Sequence, residues 1–174
     1  MSAWELSNRF DPEVLPLADA HYNRQKIGSP QFVPPGRCLV LKARSDDGIG
    51  AFWVTSYPMA EYVRHEWAGA WVNSAFRNER RDLWLSSDLI REALAATCWR
   101  WEVPPLGLVT FIDPTKVRHK RDLGRCYRKA GAHVRGYTKG GLLCVGWNAD
   151  EMPAPSAPLG ASESFDFASV GGEV

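Results

Sequence analysis

A cluster of basic residues in the second half of the chain has the residue types and spacing to bind an anion. Nine Lys and Arg residues fall between positions 116 and 139, opposed only by Asp122, so the net charge is +8 over 24 residues. Such a cluster is either a solvated basic surface or a binding site for nucleic acid or a phosphorylated cofactor. The expected phosphate contacts precede or begin a helix, where free N–H groups add to the charge: Arg118, His119, Lys120, Arg121 and Arg125.

A second basic segment lies near the start of the chain. Residues 23–37, NRQKIGSPQFVPPGR, contain three prolines and two glycines, which predicts an irregular loop. Because loops of this kind often carry function, Arg24 and Lys26 join the predicted nucleic-acid contacts. His21 and Tyr22 precede this loop and are candidate catalytic residues, since a histidine here could act as a general base. A packed or capping histidine is the alternative.

Two further residues are candidates for handling a proton. Asp113 ends a continuous apolar run, and the carboxyl ends of buried strands in open α/β sheets face a ligand crevice. Burial could raise its pKa, or a neighbouring arginine could fix it. The alternative is a turn-forming Asp-Pro pair. Tyr127 could donate a hydrogen bond to a leaving group or stack on a base, or it could be a core aromatic.

The sequence predicts no metal site and no disulfides. The cysteines at positions 38, 98, 126 and 144 are widely spaced and lack a CxxC pair, which indicates reduced thiols in a cytoplasmic protein. Glu61 and His65 stand one helical turn apart, but two ligands are too few for a metal site. The chain has no apolar run long enough to span a bilayer, and its first residues do not resemble a secretory signal.

The elements that must position these residues follow from periodicity and turn signals. The pattern predicts a helix over residues 11–22, a hairpin of 38–44 and 49–57 around an Asp-Gly turn, and a strand over 67–79. A helix over 85–101, capped by Ser86 or Ser87, precedes a buried strand over 106–113. A short helix over 121–132, with Gly131 at its C-terminal end, and two strands within 133–147 complete the order. These elements predict a mixed α+β sheet covered by helices.

The charge distribution divides the chain into a domain and a tail. Residues 1–148 carry a net charge of +6 and form the predicted single domain. Residues 149–174 contain five acidic residues and no Lys or Arg, and are rich in Pro, Ser, Gly and Ala. Such a segment buries little apolar surface, so we expect a flexible acidic tail.

The second half of the chain resembles the GNAT (Gcn5-related N-acyltransferase) superfamily. A strand over 71–76 leads through an Arg-rich turn into a helix over 87–101, a buried strand over 107–113 and the helix sequence CYRKAG at 126–131. This order, followed by a strand with Gly136 and Tyr137, is similar to the family's closing half. The resemblance implies a GNAT-like mixed sheet and an acyltransferase.

One segment departs from the family pattern. GNAT enzymes usually hold the coenzyme A pyrophosphate on a glycine-rich loop, whereas residues 77–84, RNERRDLW, contain no glycine. Acyl-coenzyme A is therefore a possible donor rather than a predicted one. Arg77 and Arg80 are candidate carrier contacts because side-chain cations can partly replace such a loop. Ser86 and Ser87 are further candidates, with helix capping as their alternative.

Within the superfamily the chain is most similar to the Mom-type DNA-modification proteins of bacteriophages. The similarity consists of the early His21-Tyr22 pair with its basic loop, the degenerate carrier loop and the helix sequence GRCY at 124–127. It implies transfer of a group from a small-molecule donor to the N6 amine of adenine in DNA, which protects phage DNA from restriction. Iron and a homodimer are possible by the same resemblance. The alternatives are an acyl-coenzyme A-dependent acetyltransferase of a small amine or protein, and a non-catalytic nucleic-acid-binding module.

Overall fold

Strands and helices are interleaved along the chain. A computed structural model describes residues 2–21, 26–33, 35–58, 63–116 and 122–161. The strands are β1 (Trp4–Leu6), β2 (Arg37–Ser45), β3 (Gly48–Tyr57), β4 (Trp71–Asn78), β5 (Leu108–Ile112), β6 (His133–Tyr137) and β7 (Leu143–Trp147). The helices are α1 (Leu15–Asp19), α2 (Ser86–Arg100) and α3 (Arg125–Lys129), and a 3₁₀ turn covers Ala149–Glu151.

The seven described strands form one mixed sheet in the order β1-β2-β3-β4-β5-β7-β6. Every neighbouring pair is antiparallel except β4 and β5, which run parallel. α2 connects these two strands, because a parallel pair needs a long crossover. The predicted mixed α+β sheet flanked by helices is confirmed, and so is the Asp-Gly hairpin, whose Gly48 has a φ of +126°.

The two faces of the sheet are covered differently. α2 packs on one face, over a core that includes the fully buried indoles of Trp4, Trp53, Trp71 and Trp147. On the opposite face α1 covers β3 through Val14 and Leu17. Beyond α1, the described residues form a small cluster around Val109 on that face. This thinly covered region leaves room for a binding site.

Several elements are shorter than predicted. The helix expected over 11–22 covers Leu15–Asp19, and the helix expected over 121–132 covers Arg125–Lys129. The predicted serine caps of α2 are wrong: its N-cap is Leu85, and no side chain caps it. Gly131 does follow the C-cap of α3 with a φ of +102°, as predicted.

The first part of the predicted tail packs against the domain. The backbone N–H of Leu159 donates to the carbonyl oxygen of Trp4 over 2.7 Å, and that of Ser156 donates to Ala95 over 3.0 Å. Met152 packs against the main core. At these positions the segment is therefore not the flexible tail that was expected. It is poor in apolar residues, but the free edge of β1 accepts an extended segment through backbone hydrogen bonds. Residues 162–174 lie outside the described residues.

Two classes of feature are absent from the described part of the chain. None of its helices combines the length and the apolar character needed to cross a bilayer. Nor does it hold three or more His, Cys, Asp or Glu side chains grouped to bind a metal ion, and its four cysteines are free thiols.

Candidate active site

A gap between two parallel strands is the centre of the candidate site. β4 and β5 pair only from Trp71↔Leu108 to Asn73↔Thr110, although β4 continues to Asn78. Opposite β3, the register of β4 slips at Ser74, which forms a β-bulge. A bulge bends its strand and ends regular pairing. Among the described residues, the second half of β4 therefore has no partner strand on the β5 side, and its backbone groups on that side can bond to a ligand.

The side chain of Asn73 organises this gap. Its Nδ2 donates to the carbonyl oxygens of Val54 over 3.0 Å and Ala75 over 2.8 Å, which are paired across β3 and β4 next to the bulge. Its Oδ1 accepts hydrogen bonds from the hydroxyls of Thr110 and Tyr127, both over 3.1 Å. The residue is buried. One amide thus ties β3, the bulge in β4, β5 and α3 together, and a buried network of this kind is rigid when every group has a partner.

Tyr127 reaches the gap from α3. Its ring makes edge contacts with Phe76 and Trp147, with centroid distances of 6.2 and 6.4 Å. Gly124 precedes the helix with a φ of +69°, and a Cβ there would come within 2.8 Å of Ile112 Cδ1. α3 therefore approaches β5 closely enough for Tyr127 to reach Asn73. The ring packs against the main core, as the core alternative expected, and the role of the hydroxyl toward a leaving group or a base stays a prediction.

Asp113 borders a hollow beside the bulge. The hollow has a volume of about 320 Å³ and is lined by Val72, Asn73, Ser74, Phe111, Asp113, Lys116 and Leu142. The Asp113 Oδ1 atom accepts hydrogen bonds from the Thr115 hydroxyl over 2.6 Å and the Thr115 backbone N–H over 2.9 Å. These bonds lower the pKa of Asp113, so its carboxyl is ionised at neutral pH. Of the two alternatives expected for Asp113, neither a pKa raised by burial nor, among the described residues, an arginine partner is found: the residue is not deeply buried, and Thr115 fixes the carboxylate.

A second hollow adjoins the first. It has a volume of about 310 Å³, and Phe111 and Leu142 line both. Its other lining residues are Arg64, His65, Glu66, Thr138, Lys139 and Gly140. From the sequence, His65 was expected only as half of a metal pair with Glu61, and Glu61 lies outside the described residues. The signal that could have indicated this hollow is the close spacing of His65 and Trp67 before a strand.

The loop that corresponds to the predicted carrier contacts is held by its own ion pairs. The Arg80 guanidinium contacts the carboxylates of Asp46 over 3.0 Å, Asp47 over 2.7 Å and Asp82 over 2.8 Å. Hydrogen bonds to Asp82 and Asp46 raise its pKa further. Its side chain also packs over Gly50, where a Cβ would lie 2.6 Å from Arg80 Cγ. Arg80 therefore fixes the loop to the β2–β3 turn, and its charge is already matched by carboxylates.

The other predicted carrier contacts differ in their surroundings. Arg77 donates to Glu79 over 2.7 Å and to the carbonyl oxygen of Ala20 over 3.2 Å, toward the end of α1. The hydroxyl of Ser86 accepts a hydrogen bond from Asn78 Nδ2 over 3.2 Å. Ser86 and Ser87 form the first turn of α2, which no side chain caps. Free N–H groups at the start of a 15-residue helix favour an anion.

His21, Lys26 and Arg125 are the remaining predicted residues that the structure describes, and none of them lines either hollow. His21 follows α1 and packs edge-on against Phe52, with a centroid distance of 6.4 Å, on the face that α1 covers. Lys26 and Arg125 are exposed. The other predicted catalytic and nucleic-acid-binding residues lie outside the described residues: Tyr22, Arg24, Arg118, His119, Lys120 and Arg121.

The same architecture occurs in solved structures of acetyltransferases. No protein-family model and no curated protein sequence matches the chain. The aminoglycoside acetyltransferase AAC(6')-Ib in complex with coenzyme A and kanamycin matches with a TM-score of 0.61 and 15% identity, over 86% of this chain and 95% of that chain. An aminoglycoside 6'-N-acetyltransferase from Enterococcus faecium matches with a TM-score of 0.55 and 13% identity, over 88% and 99%. The chain has a GNAT fold.

These matches support the fold expected from the sequence but only part of the expected family resemblance. A further aminoglycoside 6'-acetyltransferase, type Ii, gives a TM-score of 0.57 at 13% identity, over 87% of this chain and 99% of that chain. The GNAT resemblance is confirmed at the level of the fold. The similarity to Mom-type proteins receives no support from these structures.

Proposed function

We propose that the protein is an acyl-coenzyme A-dependent N-acyltransferase that acylates a primary amine. The observation that carries this proposal is the Tyr127 hydroxyl, held by Asn73 at the gap between two parallel strands of a GNAT fold. The similarity to acetyltransferases, one of them solved with coenzyme A, supports the same activity. This function is the acetyltransferase alternative of the sequence analysis.

The described residues fit an acyl carrier, although not through a glycine-rich loop. When bound, acyl-coenzyme A supplies an activated acyl group on a thioester and a thiol leaving group. Beyond Asn73, the edge of β4 has no partner strand among the described residues, and it offers backbone hydrogen-bonding groups to an extended pantetheine chain. The first turn of α2, at Ser86 and Ser87, offers free N–H groups to the phosphates. Arg80 is excluded as a phosphate ligand because three carboxylates already surround it.

Tyr127 acts in this proposal as the acid that protonates the leaving sulfur, and the proton that the acceptor nitrogen releases as the amide forms restores the phenol. Its hydroxyl proton points to Asn73 Oδ1 in the structure, and rotation about its C–O bond redirects that proton into the gap. Asn73, fixed by its own bonds around the bulge, positions the phenol before this rotation. The ring contacts with Phe76 and Trp147 keep it in place afterwards. A positioned acid of this kind contributes roughly 10²- to 10⁴-fold to a rate.

Asp113 acts through its charge. Its carboxylate borders the same hollow as Asn73 and Ser74, so it can pair with the ammonium of the acceptor. Its lowered pKa makes it a weak base. The proton that the amine loses before it attacks therefore goes to solvent rather than to Asp113. The proposal accordingly assigns Asp113 to amine binding, in place of the proton-transfer role expected from the sequence.

Calorimetry and a thiol-release assay test this function. We expect acetyl-coenzyme A to bind with a dissociation constant between roughly 1 μM and 1 mM, and an added amine to release free thiol at a rate that depends on Tyr127. Tyr127→Phe should keep carrier binding and lose most thiol release. An absence of binding heat with millimolar acetyl-coenzyme A would refute the proposal.

The predicted DNA substrate is not supported. The similar solved structures are named as aminoglycoside acetyltransferases. Of the five basic residues predicted before and at the start of α3, four lie outside the described residues. The homodimer likewise has no support. We expect the nucleosides of host DNA to be unchanged when the protein is produced in bacteria, which mass spectrometry of digested DNA would check.

A further inference from the structure

We propose that the acceptor is an arylalkylamine: a single primary amine on an aromatic body, whose ring occupies the hollow that His65 and Phe111 line. This inference rests on the proposed function, because it assigns the substrate class of the same site. It differs from the aminoglycosides named for the similar structures, which are polar and polycationic.

The two adjoining hollows have the layout that such a molecule requires. The hollow beside the bulge is lined by the polar residues Asn73, Ser74 and Asp113. The single carboxylate of Asp113 can pair with one ammonium. The second hollow extends from it past Phe111 and Leu142, which line both. An amine bound at Asp113 would therefore direct its body across Phe111 into the second hollow.

The wall of the second hollow is aromatic. The rings of His65 and Phe111 have centroids 4.8 Å apart at an interplanar angle of 50°, and Trp67 lies 6.0 Å from Phe111. Trp67 and Phe111 pack against the buried cluster of Ala70, Val109 and Cys144. Rings held in this way have little freedom to lose on binding, and aromatic partners prefer these tilted contacts. The wall is therefore preorganised for a flat apolar group.

His65 presents a neutral ring to this wall. Its Nδ1 accepts a hydrogen bond from the backbone N–H of Trp67 over 3.1 Å, so the proton of the neutral imidazole is on Nε2. Burial lowers the pKa of His65, which keeps the ring uncharged at neutral pH. An uncharged imidazole can stack with an aryl group without repelling the nearby ammonium.

The charges around the hollows oppose a second cation. Arg64 and Lys139 line the aromatic hollow and Lys116 lines the polar one, against the carboxylates of Glu66 and Asp113. The described lining residues thus carry a net charge of +1. One ammonium can pair with Asp113, but the further ammonium groups of a polyamine would face Arg64 and Lys139. Like charges placed together in a site disfavour the wrong partner strongly.

A panel of amines tests this inference separately from the proposed function. Binding of acetyl-coenzyme A alone reports on the function, and kcat/KM for four acceptors reports on the substrate class. We expect 2-phenylethylamine to exceed hexylamine, which has one charge but no ring, by roughly tenfold. We expect it to exceed kanamycin and spermidine by about a hundredfold.

Variants of the wall and of the charges sharpen the test. Phe111→Ala should lower kcat/KM for 2-phenylethylamine by about 10- to 100-fold, Phe111→Leu should lower it less, and Phe10→Ala, at an exposed ring far along the chain, should not change it. Lys139→Glu, at an exposed position, should increase the turnover of spermidine relative to 2-phenylethylamine.

The outcomes are distinguishable. If acetyl-coenzyme A binds and kanamycin is the better acceptor, the substrate class is wrong and the function stands. If hexylamine equals 2-phenylethylamine and both are insensitive to Phe111, the aromatic site is refuted. If acetyl-coenzyme A does not bind, calorimetric binding of 2-phenylethylamine that Phe111→Ala weakens would still support the aromatic site, while the proposed function fails. An absence of both signals refutes both.

Discussion

The hydroxyl of Tyr127 donates to Oδ1 of Asn73 over 3.1 Å, across 54 positions of the sequence. This bond joins the helix after β5 to the bulge in β4, so the candidate acid and the strand gap belong to one rigid unit. The amide of Asn73 already uses both of its N–H groups on backbone carbonyls at the bulge. A change at Tyr127 should therefore lower mainly the catalytic rate, and a change at Asn73 should lower mainly the free energy of unfolding. Activity assays and urea unfolding separate these two effects.

Replacement of Tyr127 by Phe tests the acid. The variant keeps the ring contacts with Phe76 and Trp147 but loses the proton donor. We expect kcat to fall by about 100-fold with little change in KM for acetyl-coenzyme A, and the free energy of unfolding to fall by about 1 kcal/mol. Steady-state thiol release and urea unfolding measure these effects.

Tyr137→Phe is the matched control, because Tyr137 is 61% exposed on β6. It should leave both quantities unchanged. Equal activity of Tyr127→Phe and the unmodified protein would contradict the assignment of the acid.

Replacement of Asn73 by Ala tests the organisation of the bulge. The change removes four side-chain hydrogen bonds, to the carbonyls of Val54 and Ala75 and from the hydroxyls of Thr110 and Tyr127. The Thr110 hydroxyl keeps its bond to the backbone carbonyl of residue 73. We expect the free energy of unfolding to fall by about 3 kcal/mol, since unsatisfied buried groups are costly. Urea unfolding measures the loss, with Asn8→Ala, at an exposed asparagine, as the control. A loss no larger than that of the control would show that the bulge does not depend on this amide.

Replacement of Arg80 by Ala tests whether this arginine belongs to the loop or to the carrier site. Because Asp46, Asp47 and Asp82 already match its charge, we expect the melting temperature to fall, and to fall less at high salt. The dissociation constant for acetyl-coenzyme A should change by less than about twofold. Arg81→Ala, at an exposed neighbour, is the control. A large loss of carrier affinity at an unchanged melting temperature would instead make Arg80 a phosphate ligand.

The pair of Asp11 and Lys42 predicts how stability depends on pH. Burial acts to raise the pKa of Asp11, but hydrogen bonds from Lys42, over 2.7 Å, and from Ser7 outweigh it and hold this pKa below its ordinary value. A carboxyl with a lowered pKa stabilises the fold above its unfolded pKa of about 3.9, and this contribution is lost as pH falls through the folded value.

Asp11→Asn should therefore lower the free energy of unfolding by about 2 kcal/mol at pH 7. It should also flatten the loss of stability below about pH 4. Urea unfolding at a series of pH values measures both effects, and Asp150→Asn, at an exposed carboxyl, is the control. Parallel pH profiles for the unmodified protein and Asp11→Asn would refute this role of Asp11.

The sequence predicted most of the fold because the fold follows from local patterns. The Asp-Gly turn, the apolar face of α2 and the apolar run of β5 each lie within one short segment, and all three appear in the structure. Helix ends were less predictable. Ser86 has the residue type of a cap, yet its hydroxyl accepts a hydrogen bond from Asn78, a contact that only the tertiary structure provides.

The candidate site was predicted only in part. Asp113 and Tyr127 were found from their positions after a buried strand and within the closing helix, and the structure places Asp113 at a hollow and Tyr127 at the strand gap. Asn73 was missed, because an asparagine within a predicted strand carries no sequence signal. Its importance depends on a register slip between β3 and β4, which is a property of two strands rather than of one.

The amino-acid sequence by itself determined the mixed sheet, the order of its elements and the chemical types available to the site, since hydrophobic periodicity and turn residues act over a few positions. Only the tertiary structure decided which of those types meet. It directs the charge of Arg80 onto three carboxylates, and it brings Asn73 to Tyr127 and His65 to Phe111. The physical reason is that hydrogen bonds, ion pairs and ring contacts act over a few ångströms, and chain folding, not sequence spacing, sets those distances.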